Sequence, residues 1–499
     1  MELIANLQIG FEAALSPANL FYCFLGALFG TLIGVLPGLG PVATISMLLP
    51  LTFGLDPTAA LIMLAGIFYG AQYGGSTTAI LINLPGESSS VVTALDGYQM
   101  ARQGRAGVAL ATAALSSFLA GTIATLVIAL FAPPLAKVAV SFTAVEYFSL
   151  MLLGLIASIV LANGSVLFAI GMALAGLLLG LVGADINSGV QRFTFGVAEL
   201  SDGIDFVVVA MGLFAVAEVV RNLEAPEERE VMVAKVEGLM PSKQELKEMS
   251  APALRGTFLG SILGILPGGG AILASFGAYV LEKRLSKHPE RFGKGAIAGV
   301  AGPEAANNAG AQTSFIPMLT LGIPSNPVMA LMIGAMIIQG IQPGPSVMSE
   351  QPVLFWGIIV SMWVGNVILV LLNLPLIGIW ASLLRVPYKF IFPVIIFFSA
   401  VGVFSISNSV FDVWMLALFG VIGYALIKVG GEPAPLLLGF ILGVMVEEYF
   451  RRAMLISKGD ATVFVTRPLS AAFLACGVGL ILLIALPNLR KKRESAFQE

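Results

Sequence analysis

Apolar residues dominate long stretches of the chain, around 18–36, 57–82, 107–131, 144–162, 164–183, 204–220, 353–384, 389–406, 411–428, 434–446 and 470–487. About 20 apolar residues cross a bilayer as a helix, so these runs and the interrupted segments between them predict roughly a dozen membrane elements. Two of the interrupted segments share one pattern. Gly26, Gly30, Gly34, Leu36, Pro37, Gly38 and Gly40 recur as Gly256, Gly260, Gly264, Leu266, Pro267, Gly268 and Gly270. Glycine at every fourth position lets a second helix approach closely. The Pro-Gly step then ends the helix inside the apolar stretch.

The charged segments 221–255 and 282–294 flank Gly256–Leu281, whose halves on either side of Pro267-Gly268-Gly269-Gly270 are each ~16 Å long as helices, about half a hydrocarbon core. A re-entrant hairpin entering from the charged side fits, as does a full-length kinked helix. Residues 20–55 are flanked by Glu12 and Asp56 with no cation nearby, which predicts entry from the opposite face and hence inverted repeats. The likeness continues from Gly74-Gly75-Ser76-Thr77-Thr78 to Asn83-Leu84-Pro85-Gly86, beside Gly310-Ala311-Gln312-Thr313-Ser314 to Thr320-Leu321-Gly322-Ile323-Pro324-Ser325-Asn326. Both stretches then reach a Gln-Gly pair, Gln103-Gly104 and Gln339-Gly340. The expected organisation is a first membrane repeat with additional helices over 1–220, a cytoplasmic linker over 221–255, a second repeat with additional helices over 256–487, and a cytoplasmic tail over 488–499.

Composition agrees with an all-α polytopic membrane protein: 58% of the 499 residues are hydrophobic, 11% are charged and mean hydropathy is +0.95, too little polar surface for a water-soluble globule. No Lys or Arg precedes Arg102, and none lies between Lys294 and Arg385. Cations gather at Arg102 and Arg105, at 221–255, at 283–294, at Arg451, Arg452 and Lys458, and at 490–493, regions that the positive-inside rule makes cytoplasmic, the carboxyl terminus with them. The first eleven residues lack the basic start of a secretory signal. Cys23 and Cys476 sit in apolar segments far apart and read as small core residues. A net charge of -3 without a basic stripe argues against nucleic acid.

The chemistry on offer is uncharged polarity at helix breaks. The Pro-Gly-Gly-Gly turn lacks the Gly-x-x-x-x-Gly-Lys pattern of a phosphate loop. His288, the one histidine, lies in a charged loop and reads as solvated, so neither a Ser-His dyad nor a histidine zinc site can be assembled in the membrane. No catalytic constellation is expected, and no cofactor. Half-helix amino termini suit carboxylates, whereas unwound carbonyls and Ser, Thr or Asn oxygens suit Na⁺. Candidate substrate-binding residues are the hairpin tips Pro37, Gly38, Gly40 and Pro267, Gly268, Gly269, Gly270, with Ser76, Thr77, Asn83, Asn307, Asn308, Thr313, Ser325 and Asn326; candidate Na⁺ donors are Thr78, Ser314 and Thr320. Pro303 reads as the start of a helix that places Asn307 and Asn308 in its first turns, pointing about 100° apart so that one faces the site. Asparagine can equally join helices structurally, and hydroxyls can bond silently to their own helix. Glu304 and Asp96 are the acids nearest these motifs, able to hold a cation or proton or to cap a helix.

The combination of Gly34-x-Leu36-Pro37-Gly38-x-Gly40-Pro41, Asn83-Leu84-Pro85-Gly86, Asp96-Gly97, Leu266-Pro267-Gly268-Gly269-Gly270, Pro303-Glu304-Ala305-Ala306-Asn307-Asn308-Ala309 and Leu319-Thr320-Leu321-Gly322-Ile323-Pro324 resembles the large membrane subunit, TctA, of the tripartite tricarboxylate transporters, over nearly the whole chain. The resemblance implies a bacterial inner-membrane permease with two partners, a small membrane subunit (TctB-like) and a periplasmic solute-binding protein (TctC-like). It also implies uptake of citrate or another di- or tricarboxylate, coupled to an ion gradient, often sodium. A channel, a membrane enzyme using a lone acid pair and a scaffold without its own substrate site are the competing readings.

Overall fold

A computed structural model of the chain describes residues 2–36, 38–162, 165–185, 188–224, 236, 238–266, 270–384 and 388–485. Helices make up most of it. The first half contains α1 (Glu2–Ala14), α2 (Pro17–Gly34), α3 (Pro41–Leu48), α4 (Pro57–Ile82), α5 (Val91–Met100), α6 (Ala106–Ala139), α7 (Ala144–Leu161), α8 (Val166–Gly180), α9 (Phe206–Ala210) and α10 (Ala217–Leu223). The second contains α11 (Lys243–Leu263), α12 (Gly270–Leu285), α13 (Ala298–Thr313), α14 (Phe315–Leu321), α15 (Pro327–Ile338), α16 (Val347–Glu350), α17 (Pro352–Asn373), α18 (Ile377–Leu383), α19 (Tyr388–Ser407), α20 (Val410–Lys428), α21 (Ala434–Ile456), α22 (Val463–Thr466) and α23 (Pro468–Ala485). Among the described residues, strands are confined to the antiparallel pair Gly183–Ala184 and Gln191–Arg192. Among the described residues, five helical segments are long and apolar enough to cross a membrane, and six shorter apolar helices accompany them.

Local chemistry sets many of the ends. Ser16 and Asp56 accept the N–H of Asn19 and of Thr58 just ahead of a proline at the first helical position, where its missing N–H costs nothing. Thr143 with Glu146, and Ser242 with Glu245, form capping boxes. α11 begins at Lys243 and runs without a break past Gly256, so one helix joins the linker to the second glycine series.

The glycine series decides the core. A Cβ placed on Gly26, Gly30 or Gly34 would lie 2.2, 2.3 or 2.5 Å from the carbonyl oxygen of Met63, Ile67 or Ala71, and one on Gly256, Gly260 or Gly264 would lie 2.2, 2.2 or 2.3 Å from that of Gly302, Ala306 or Gly310. No Cβ fits at such distances, so only glycine permits this backbone contact. Residue numbers rise together on both sides, which makes α2 parallel to α4 and α11 parallel to α13. The chain between two parallel neighbours must come back, and α3 and α12 are the returning arms. The hairpin is therefore the arrangement present, not the kinked helix. In the second hairpin Gly270 sits against Leu263 and Gly264, while the far ends of the arms are clasped by Arg255 Nε donating to Glu282 at 2.7 Å.

The same register relates the breaks that follow. Asn83, left-handed at φ +58°, occupies the place of Gly322 at φ +70°; Leu84-Pro85 that of Ile323-Pro324; Glu87 that of Asn326, the N-cap of α15. Gly104 and Gly340, both left-handed at φ +79° and +72°, lie three residues out of this register. This packing sets Gly74 opposite Thr313, nearly one turn from the pairing with Gly310 suggested by the residues. Small residues recurring each turn look alike when slid by a turn, and the carbonyl contacts settle which turn is meant.

Three further expectations are corrected. Pro303 lies inside α13, which starts at Ala298, so Asn307 and Asn308 are mid-helix residues; the proline there removes the bond its N–H would have made to the Gly299 carbonyl. α21 continues beyond the apolar run to Ile456, with Arg192 and Arg451 pairing Glu447 and Asp185. Cys476 is exposed, because α23 packs on α7 along one face and leaves the other outward; Cys23 is buried as expected.

On the polar surface, Glu245 accepts from the Ser242 N–H and from Arg105 at 2.7 Å, and the two hold its carboxyl below the usual carboxylate range. Its contribution is present above that range and is lost as pH falls through the lowered value. Arg105→Ala should melt slightly below the parent at pH 7, and the gap should close as pH falls below the usual carboxylate range through the lowered value. The glycine contacts give a larger effect: Gly30→Ala and Gly260→Ala should each cost about 1–3 kcal/mol or prevent folding, while Gly171→Ala, with open space at its Cβ, should leave the thermal melt of the detergent-purified protein unchanged.

Candidate functional site

α4 and α13 are buried almost end to end, so their polar residues must find partners in the protein. On α13, Glu304, Asn307 and Asn308 fall one turn apart on neighbouring lines. On α4, Gln72 and Ser76 do the same. The Glu304 carboxylate, 1% exposed, accepts from Ser76 Oγ at 2.9 Å, from Ser117 of α6 at 3.4 Å and from Thr93 of α5. No Lys, Arg or His among the described residues pairs with it. Asn308 Nδ2 donates to Ser117 Oγ at 2.7 Å and to the Glu304 carbonyl at 3.0 Å. Asn307 turns the other way: Nδ2 donates to Glu87 Oε1 at 2.9 Å, and Oδ1 accepts from Gln72 Nε2 at 3.3 Å. Both asparagines thus engage the polar cluster, through different partners.

Glu87 is the meeting point of the hairpins. It lies in the break after α4, where Ser89 donates to it at 2.6 Å. Gly40, beside the first tip, faces Gly86 and Glu87, with a Cβ there 3.5 Å from the Gly86 carbonyl oxygen. α12, the returning arm of the second hairpin, packs against Ser88–Ser90. Gly40 of the first hairpin and α12 of the second therefore border one break, bridged by Asn307 of the second half.

The comparison with known families decides what this frame belongs to: residues 20–438 match the family model of the Tripartite tricarboxylate transporter TctA family. The chain belongs to the TctA family. It is 62% identical, over 499 residues covering 100% of this chain and 99% of the relative, to the Agrobacterium vitis protein described as "Uncharacterized 52.8 kDa protein in TAR-I ttuC' 3'region". A second Agrobacterium vitis protein, "Uncharacterized protein in TAR-II ttuC' 3'region", is 61% identical over 240 residues, 48% of this chain and 99% of that protein. No solved structure matches the chain. This TctA chain is thus a multi-pass membrane subunit of a transporter family.

The expected site residues sort by their surroundings. Ser76, Asn307 and Asn308 meet in the cluster, and Thr77 lines the cavity beside Glu304 while its hydroxyl donates to the Tyr73 carbonyl at 3.1 Å. Thr78 donates to the Val35 carbonyl at 2.8 Å, tying the end of α2 to α4. Thr313, Ser314 and Thr320 donate to carbonyls of their own helices at 2.9, 2.5 and 2.6 Å. Ser325 reaches the Ser314 carbonyl at 3.4 Å, and Asn326 caps α15. Asn83 is exposed at the end of α4, set apart from the buried cluster. Gly38 adopts φ +82° next to the Asn222 side chain, and Gly270 opens α12. Pro37, Pro267, Gly268 and Gly269 lie outside the described residues. Gln72, Glu87, Thr93 and Ser117 were not anticipated; Glu87, next to the Leu84-Pro85-Gly86 break, was the one with a visible signal.

Asp96, unlike Glu304, is saturated by donors: the N–H groups of Gly295 and Ala296 at 2.8 Å each and Tyr279 Oη at 3.0 Å. It caps the segment leading into α13, the bland one of its two expected roles, and so fastens α5 of one half to the second hairpin. Asp96→Ala should lower stability by about 2–3 kcal/mol through the loss of charge-assisted bonds, measured as a reduced midpoint of thermal unfolding, with no change in ion or substrate preference of the folded fraction.

Proposed function

We propose that this chain is the large permease subunit of a binding-protein-dependent secondary transporter that imports a citrate-like di- or tricarboxylate by Na⁺ symport. The observation that carries the reading is the convergence of both hairpins on the Glu87–Ser90 break, with Asn307 across it. Free N–H groups at helix ends and the Asn307 amide would meet substrate carboxylates. Hydroxyls such as Thr78, Ser314 and Thr320, whose protons are already committed to carbonyls, would offer only lone pairs, which suits a cation. Two hairpin-and-break units of one pattern, in opposed orientation in the inner membrane, would expose this place to each side in turn. The reading includes a TctB-like small membrane subunit and a TctC-like periplasmic binding protein as partners, and a cytoplasmic linker and carboxyl terminus. The runner-up readings are an ion or solute channel and a scaffold that lacks a substrate site of its own.

Proteoliposomes holding this chain and its small membrane partner should take up labelled carboxylate only with an inward Na⁺ gradient and the delivery protein. Asn307→Ala should reduce that uptake at least tenfold in correctly folded protein, whereas a scaffold would be indifferent. Uptake that ignores Na⁺ would overturn the symport.

A further inference from the structure

Beside Ser76, α4, α6, α13 and the corner after α17 border a cavity lined by Ser76, Thr77, Ser117, Glu304 and Asn373 together with Tyr73 and apolar leucine, isoleucine and alanine side chains. It is small, with room for one bare ion or a water or two and too little for a carboxylate substrate. Asn373 is 4% exposed; its Nδ2 donates to the Leu369 carbonyl at 2.9 Å, and its Oδ1 has no hydrogen-bond partner. A buried acceptor without a donor is an unfavourable arrangement that persists where something else satisfies it. Thr77 has spent its proton on Tyr73 and presents lone pairs. Oxygen-bearing side chains thus meet at one place within a largely apolar lining and carry one formal negative charge with no cation among the described residues, in a helix bundle where ionisable groups mark ion pathways.

We infer that the cavity formed by Glu304, Ser76, Ser117 and Asn373 is a Na⁺ site. The inference rests on the symport reading and gives the coupling ion a place distinct from the substrate carboxylates. Oxygen donors of carboxylate, hydroxyl and amide type suit a hard cation, and a single carboxylate suits a monovalent one. The ion would neutralise α13 one turn from Asn307, and Ser76 and Gln72 connect the two along α4. Filling the cavity therefore makes the Glu87 break less negative in its surroundings and more receptive to an anion, a coupling that must act equally in both directions.

The test is ²²Na⁺ binding to the full chain in nanodiscs, with K⁺ and choline as controls, paired with a thermal melt in each salt. The parent should bind Na⁺ saturably and melt higher in Na⁺ than in choline. Glu304→Gln should lose at least tenfold in Na⁺ affinity and the Na⁺-dependent rise in melting, and Asn373→Ala should lose several-fold while staying monodisperse. Should Glu304→Gln fail to fold, Glu304→Asp and Asn373→Ala carry the same comparison. Undiminished Na⁺ binding in these variants, or a parent that binds no Na⁺, would overturn the site. The symport reading fails separately: Na⁺ would bind through Glu304 while carboxylate uptake in proteoliposomes ignored the Na⁺ gradient.

Discussion

Main-chain contact between parallel helices is the constraint on which the molecule turns. Where Gly26, Gly30 and Gly34 lie on the carbonyls of Met63, Ile67 and Ala71, the two axes are as close as helices can be, and lipid cannot enter. Because the neighbours are parallel, the connecting chain has to reverse, and the reversal creates the hairpin. The repetition at Gly256, Gly260 and Gly264 creates the second one by the same route. Hairpins, tips and the facing breaks are consequences of one spacing of hydrogen-sized side chains.

Inside that frame the two neighbouring buried acids are treated differently. Asp96 collects backbone N–H groups and a phenol, so its charge is absorbed by fixed dipoles and serves as a rivet between the halves. Glu304 collects only hydroxyls, which can rotate, and it borders a small cavity that Asn373, with its orphaned amide oxygen, also lines. Saturation by rigid donors holds a charge still; satisfaction by movable ones leaves it available to exchange partners.

The elements legible in the sequence were those whose apolar side chains face other apolar groups or lipid: α2, α4, α7, α8, α20 and α23 fall on the predicted runs with only small differences at their ends. α13 was legible only through its motif. Its polar residues, Glu304, Asn307, Asn308 and Gln312, are hidden by α4, α6 and α11, so the burial is tertiary and leaves no hydropathy signal. For the same reason Thr93 and Ser117, contributed by α5 and α6, gave no hint of touching Glu304. The hydroxyl runs after Gly74 and Gly310 were visible, but the turn of helix relating them was not, since it is fixed by contacts that side-chain identities do not record.

An interface written in peptide groups places no demand on the side chains of the helix being approached. Met63, Ile67 and Ala71 on one side and Gly302, Ala306 and Gly310 on the other receive their glycines equally well. The duplicated scaffold thereby released α13 from the duty of being greasy, and that latitude is what allowed an acid and two amides to settle within a turn of the seam while α4 kept its methionine and isoleucine.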